Sequence, residues 1–126
     1  MLYTIGYSGL TLPALQRMVE AHDALLVDIR DNPASRRPGF AKKHLHAQFG
    51  TRYVHCQALG NVHYKTGGPI VLRDYPAGLD QMRELLRTTP AVLLLCVCAQ
   101  VETCHRKVAG EQLSRDLHVP LVHLAR

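Results

Sequence analysis

Tryptophan is absent from the 126 residues, and phenylalanine occurs only twice. Even with five tyrosines, aromatic residues make up 6% of the chain. That leaves little material for the stacking platforms of single-strand nucleic-acid binders. No apolar run approaches the roughly 20 residues a membrane-spanning helix needs; the longest, residues 91–97, has strand length. Residues 1–6 carry no basic stretch before an apolar core, so no secretion signal is recognised, and a cytoplasmic, reducing setting without membrane attachment is expected. There, four cysteines point to thiol chemistry or metal binding rather than to structural disulfides. Internal repeats, low-complexity tracts, linkers and long lysine or arginine runs are also missing.

The composition is that of one globular domain spanning residues 1–126. Apolar residues make up 47% and charged residues 20% of the chain, and this length buries a core without staples. The formal net charge of +5 is compatible with a small anionic ligand or with nucleic acid.

Strand and helix signals alternate along the chain. Residues 2–5 read as a strand closed by Gly6. Thr11 is a plausible helix cap and Pro13 suits the first turn, with Leu12, Leu15, Met18, Val19 and His22 at helical spacing. Residues 25–29 read as a buried strand, residues 31–39 as a loop, and residues 40–49 as a short helix stopped by Gly50. Residues 53–56 form a third strand. A long irregular loop over residues 61–74 follows, of a length that is often functional. Pro76 opens a helix that buries Leu79, Met82, Leu85 and Leu86. The run 91–98 is apolar on both faces, as at the centre of a parallel sheet. A helix over residues 103–117, with Thr103 able to cap it, and a strand over residues 119–124 complete the chain. This order implies an α/β fold: one three-layer domain with a mainly parallel sheet of about five strands between helices.

In such sheets ligands bind beyond the carboxyl ends of the strands. Three groups fall there: Gly6, Tyr7, Ser8 and Gly9; Asp28, Arg30 and the loop Ser35-Arg36-Arg37; and Cys98 with Cys104-His105-Arg106. The last three residues occupy a helix start, where free N–H groups and the dipole favour an anion and where a cysteine beside His and Arg is more readily ionised. Cys98 and Cys104 are candidate nucleophiles or redox thiols, and Asp28 and His105 candidate proton carriers. Ser8, Arg30, Ser35, Arg36, Tyr53 and Arg106 are candidate substrate-binding groups, with Arg106 able to grip a phosphate or carboxylate in a fork. Plainer readings stand beside these. Cys96 suits a small core position, His105 can pack over the sheet edge, and Arg106 can be a solvated helix residue near an ordinary Lys107–Glu111 pair. Cys96, Cys98, Cys104 and His105 could supply four metal ligands. Their spacing is not that of a zinc knuckle, however, and adjacent Cys-His pairs rarely ligate one ion, so no metal ligand is assigned; the sequence names no cofactor, and a non-catalytic ligand- or metal-binding domain stands as an alternative to an enzyme. A nucleic-acid module would instead use the Ser35–Arg37 loop and residues 65–73 on phosphates.

Thr4-Ile5-Gly6-Tyr7-Ser8, Val27-Asp28-Ile29-Arg30 with Pro33, Ser35 and Arg36, Tyr53-Val54-His55 with Leu59-Gly60, and Cys96-Val97-Cys98 with Cys104-His105-Arg106 together resemble the domain of unknown function 488 family. Where many members carry an acidic residue two positions after the first cysteine, this chain carries Cys98, which is similar to a Cys-x-Cys subgroup. The resemblance implies a compact α/β fold and a shared polar site made of Ser8, Asp28, Arg30, Ser35, Arg36, Tyr53, Cys98, Cys104, His105 and Arg106. It implies no particular reaction.

Overall fold

Ala91–Cys96 (β4), buried at all six positions, is the centre of a five-stranded sheet. The architecture comes from a computed structural model, which describes residues 1–35 and 37–125. The other strands are Leu2–Gly6 (β1), Ala24–Asp28 (β2), Tyr53–His55 (β3) and Leu121–His123 (β5). Their order is β3-β2-β4-β1-β5, and every pairing is parallel. Apolarity on both faces of β4 is what a parallel sheet covered on both sides requires.

The helices are Leu12–Ala21 (α1), Lys42–Phe49 (α2), Tyr75–Thr88 (α3) and His105–Leu117 (α4). Leu15 and Val19 of α1 and Leu45 of α2 share one core with Ile5, Leu26, Leu93 and Leu95. Met82 of α3 and Ala109 and Leu113 of α4 share the other with Leu2, Val27, Val92 and Leu94. Alternate strand residues therefore feed opposite cores, giving the expected three layers. Thr11 caps α1 by accepting from the Ala14 amide, with Pro13 in the first turn. Asp74 does the same for α3, which begins at Tyr75, one residue before Pro76.

Element ends differ from the sequence reading by at most two residues. The largest consequence is at β4, which ends at Cys96 rather than at residue 98. The amides of Tyr7 and Ser8 still take the carbonyls of Cys96 and Val97. Gly6 then lies so close to the bending chain that a Cβ there would sit 1.6 Å from the Cys98 carbonyl oxygen. Replacing Gly6 by alanine must push β1 and β4 apart at their carboxyl ends. We expect Gly6→Ala to cost about 3 kcal/mol, at the upper end of overpacking penalties, read as a fall in the urea midpoint. An unchanged midpoint would contradict this close approach.

The second difference is at α4. Cys104, in extended conformation (φ −99°, ψ 144°), is the N-cap and makes no side-chain capping bond. Thr103 belongs to the preceding 3-10 turn, Val101–Thr103, and its hydroxyl donates to the Gln100 carbonyl, so it does not cap the helix.

The chain topology selects where a ligand can enter. After β1 and β2 the chain leaves toward the α1/α2 face; after β4 it leaves toward the α3/α4 face. The carboxyl end of β4 is thus flanked on both sides by strands that exit the other way, the arrangement that opens a crevice in an open parallel sheet. Among the described residues no helix is long and apolar enough to cross a membrane.

Candidate functional site

At the carboxyl end of β2, Asp28 is fully buried. Arg30 grips it with two prongs, Nε to Oδ1 at 2.8 Å and Nη2 to Oδ2 at 2.6 Å, and the Arg30 amide adds a third bond at 3.1 Å. The Tyr53 hydroxyl donates to Oδ2 at 2.6 Å. Arg30 Nη1 reaches the Phe40 carbonyl at 2.8 Å and the Tyr7 hydroxyl at 3.4 Å, and the guanidinium lies over the Tyr7 ring. Tyr7 in turn donates to Ser35 Oγ, which also accepts from the Arg37 amide. Burial works against the charge on Arg30, but the carboxylate of Asp28 outweighs it and holds the guanidinium protonated more firmly than usual. Burial, and then the bond to Asp28, keep the Tyr53 hydroxyl protonated. This network ties Ser35, Arg37 and Phe40 to the sheet edge.

The second cluster sits where β4 ends and α4 begins. Cys96 Sγ and Cys104 Sγ are 3.0 Å apart, and Cys96 Sγ is 3.2 Å from His105 Nδ1. All three side chains are buried. The other ring nitrogen, His105 Nε2, donates to the Ile29 carbonyl at 2.8 Å, so the same residue that closes the cysteine cluster is anchored between Asp28 and Arg30. Between the two close sulfurs the proton stays on Cys96, whose pKa is raised by its bonds to Cys104 and Cys98 and by burial. Cys104 is lowered to about 4, first by the hydrogen bond with Cys96 and, against burial, by His105 and the Arg106 amide. Cys98 is also lowered, chiefly by its bond with Cys96. Burial opposes the charge on His105, yet its partners Cys104 and the Ile29 carbonyl raise it overall.

Above these groups lies a cleft of about 530 Å³. Its floor includes Tyr7, Arg30, Cys96, Cys98 and His105, and its far wall is the loop carrying Asn61, His63 and Tyr64. Asn61 shapes that loop, its side chain accepting from the amides of His63 and Val71. Asp31, also lining the cleft, is held by Arg73 at 2.6 and 3.0 Å; that bond, against burial, lowers its carboxyl pKa.

The residues expected at the site separate into three groups. Arg30, Cys98 and His105 line the cleft. Asp28, Ser35 and Cys104 stand behind it, bonded to Arg30, Tyr7 and Cys96, which do, and Tyr53 stands one step further back on Asp28. Ser8 is exposed beyond β1 and is not part of the cleft lining; Arg36 lies outside the described residues. Arg106 is neither a solvated helix residue nor turned toward the cleft. It is buried, with Nη1 on Thr4 Oγ1 at 2.7 Å and Nη2 on the Ala99 carbonyl at 3.1 Å. Of the cations suggested for nucleic-acid contact, Arg37 bonds the carbonyls of Tyr7 and Leu10, and Arg73 is taken by Asp31. The pairing of Asp31 with Arg73 was not read from the sequence, and for Asn61 and His63 the unusual length of the loop was the only signal.

No curated protein and no solved structure matched the chain. The segment from α1 to the loop after β3 carries Asp28, Arg30, Ser35 and Tyr53, while the Cys96–Arg106 block lies beyond it. That segment, residues 14–66, matches the model of the family described as Domain of unknown function DUF488, and the match supports assigning the chain to that family.

Proposed function

We propose that the cleft at the carboxyl edge of the sheet is the active site of an enzyme acting on a small anionic, phosphate- or nucleotide-like substrate, with Cys98 as the thiol that meets it. One observation carries this reading. Among the four cysteines, Cys98 alone is half-exposed, and it opens into a cleft lined by hydrogen-bonding groups. The two carboxylates at this edge do not repel an anion, because Asp28 is matched by Arg30 and Asp31 by Arg73. Asn32, Asn61, His63 and Thr103 supply further polar groups on the walls, and the chain as a whole carries +5. Asp28 and Tyr53 act as positioning residues: they hold Arg30 in one orientation, as a bidentate pair does. His105, part of the cleft lining, is the candidate proton carrier.

Limited alkylation of the native protein with iodoacetamide, mapped by peptide mass, tests this. Cys98 is expected to be modified first, with Cys56, Cys96 and Cys104, each at most 2% exposed, reacting only after unfolding. Inorganic phosphate, a phosphate monoester or a nucleotide is expected to slow the modification of Cys98 several-fold. Equal rates at all four cysteines, or a Cys98 rate that no member of this series changes, would sink the reading.

A further inference from the structure

Beneath the cleft, three donor atoms converge that the reading above does not use as a set. The side-chain donors of Cys96, Cys104 and His105 all lie within 4.8 Å of one another, in a region where each residue is buried. From this geometry we propose that Cys96, Cys104 and His105 bind a thiophilic divalent cation of the zinc class, with the fourth coordination position opening into the cleft.

Four features of the cluster support the assignment. Two cysteine sulfurs and one imidazole nitrogen are the soft and borderline donors that favour zinc over magnesium or calcium. The Ile29 carbonyl accepts from His105 Nε2, which leaves Nδ1 facing the sulfurs with its lone pair. Such an anchor on the far ring nitrogen is the usual companion of a metal-bound histidine. Tetrahedral zinc, with bonds of about 2.3 Å to sulfur and about 2.0 Å to nitrogen, places its donors roughly 3.5–3.8 Å apart. The observed separations of 3.0 and 3.2 Å need only small side-chain rotations to reach that range. Finally, Cys96 and His105 are part of the cleft lining, so an ion held by three protein ligands would present its free position to a ligand there. Three ligands and one open position are the pattern of a catalytic rather than a structural zinc site, in which the ion polarises an oxygen of the substrate or of water.

Adjacent Cys-His pairs rarely serve one ion, and the backbone shows how this pair could. Cys104 is extended and His105 is the first helical residue. The change of conformation between them turns two neighbouring side chains toward one point, which two consecutive residues of a regular helix cannot do.

The ligand set shares His105 with the thiol reading, and a bound ion would take that imidazole out of proton transfer, but Cys98 is not a member of it. The test uses the full chain purified without a histidine tag, with metal content measured, then stripped and titrated with cobalt(II) as a spectroscopic probe. One equivalent is expected, giving the sulfur-to-cobalt charge-transfer and intense visible bands of a tetrahedral thiolate site, and zinc should displace it. The Cys98→Ser and Cys56→Ser variants should keep the signal, whereas Cys104→Ser, Cys96→Ser and His105→Ala should lose or weaken it at least tenfold. Because a ligand variant can misfold, the parent protein supplies a second readout: zinc should protect Cys96 and Cys104 from alkylation while the chain is partly unfolded in urea. An octahedral cobalt spectrum, absence of binding by the parent protein, or a signal surviving the loss of both Cys96 and Cys104 would overturn the proposal. None of these outcomes bears on whether Cys98 is the first cysteine alkylated.

Discussion

Replacing Asp28 by alanine is expected to lower the stability of the protein by about 3–5 kcal/mol, the cost of removing one partner of a buried ion pair. The whole stability of such a domain is only about 5–15 kcal/mol, so the variant should be marginal. The reason lies in what remains. Arg30, about 4% exposed, would keep its charge with no carboxylate beside it, and the Tyr53 hydroxyl would lose its acceptor. Asp28→Asn should be nearly as damaging, since its amide N–H₂ would face guanidinium donors. Tyr53→Phe removes one hydrogen bond and should cost only about 1–2 kcal/mol. The double variant Asp28→Leu, Arg30→Met removes both charges and should recover part of the loss, as apolar replacements of buried pairs generally do. Urea unfolding followed by circular dichroism measures all four. A loss under 1 kcal/mol for Asp28→Ala would show that the pair does not hold the sheet edge.

The second large effect is expected at Arg106. This guanidinium is buried without a carboxylate partner among the described residues. Its Nη1 donates to Thr4 Oγ1, and the Thr4 hydroxyl can in turn donate to His123 Nδ1, 2.6 Å away. Its Nη2 holds the Ala99 carbonyl, pinning the segment after Cys98, and its Nε has no acceptor among the described residues. Truncation to alanine should cost about 3 kcal/mol through the cavity and the unpaired Thr4 and Ala99 groups. Arg106→Lys should cost about 1–2 kcal/mol, because one ammonium cannot span two acceptors that a fork reaches together. A companion measurement separates this relay from simple packing. Burial first, and then the Arg106 charge, lower the pKa of His123. In Arg106→Ala the imidazole should therefore titrate at a higher pH than in the parent protein, followed by NMR. Identical titration would rule out the Arg106–Thr4–His123 contact.

Arg106 also shows where residue type stops being informative. A Cys-His-Arg run at a helix start reads as one anion-binding unit, yet consecutive residues on a helix point about 100° apart. His105 faces the cleft and β2, whereas Arg106 faces β1 and Thr4. Alternation of strands and helices, by contrast, was legible, because the central strands are short apolar runs and α1 and α3 each begin with a side-chain cap and a proline. Strand order was not. It depends on which distant strands pair, and β4 inserts between β1 and β2 although 62 residues of chain separate its start from the end of β2. Asp28 and Arg30 were legible as a charged strand end, but their mutual neutralisation was not, since a two-residue spacing in an extended segment can leave both groups in solvent. Cys96, Cys98, Cys104 and His105 were legible as a possible donor set but were not assigned; the convergence of three of them comes from the extended N-cap conformation of Cys104, which spacing alone does not reveal.

The account rests on the edge beside β4 being the place where a small anion binds. Amide chemical-shift mapping of the labelled protein, titrated with inorganic phosphate and then with a nucleotide, tests that most directly. The expected result is a saturable set of shifts confined to Arg30, Asp31, Asn61, His63, Val97, Cys98 and His105. Shifts that gather on the opposite edge of the sheet, or no saturable shifts with either compound, would contradict it.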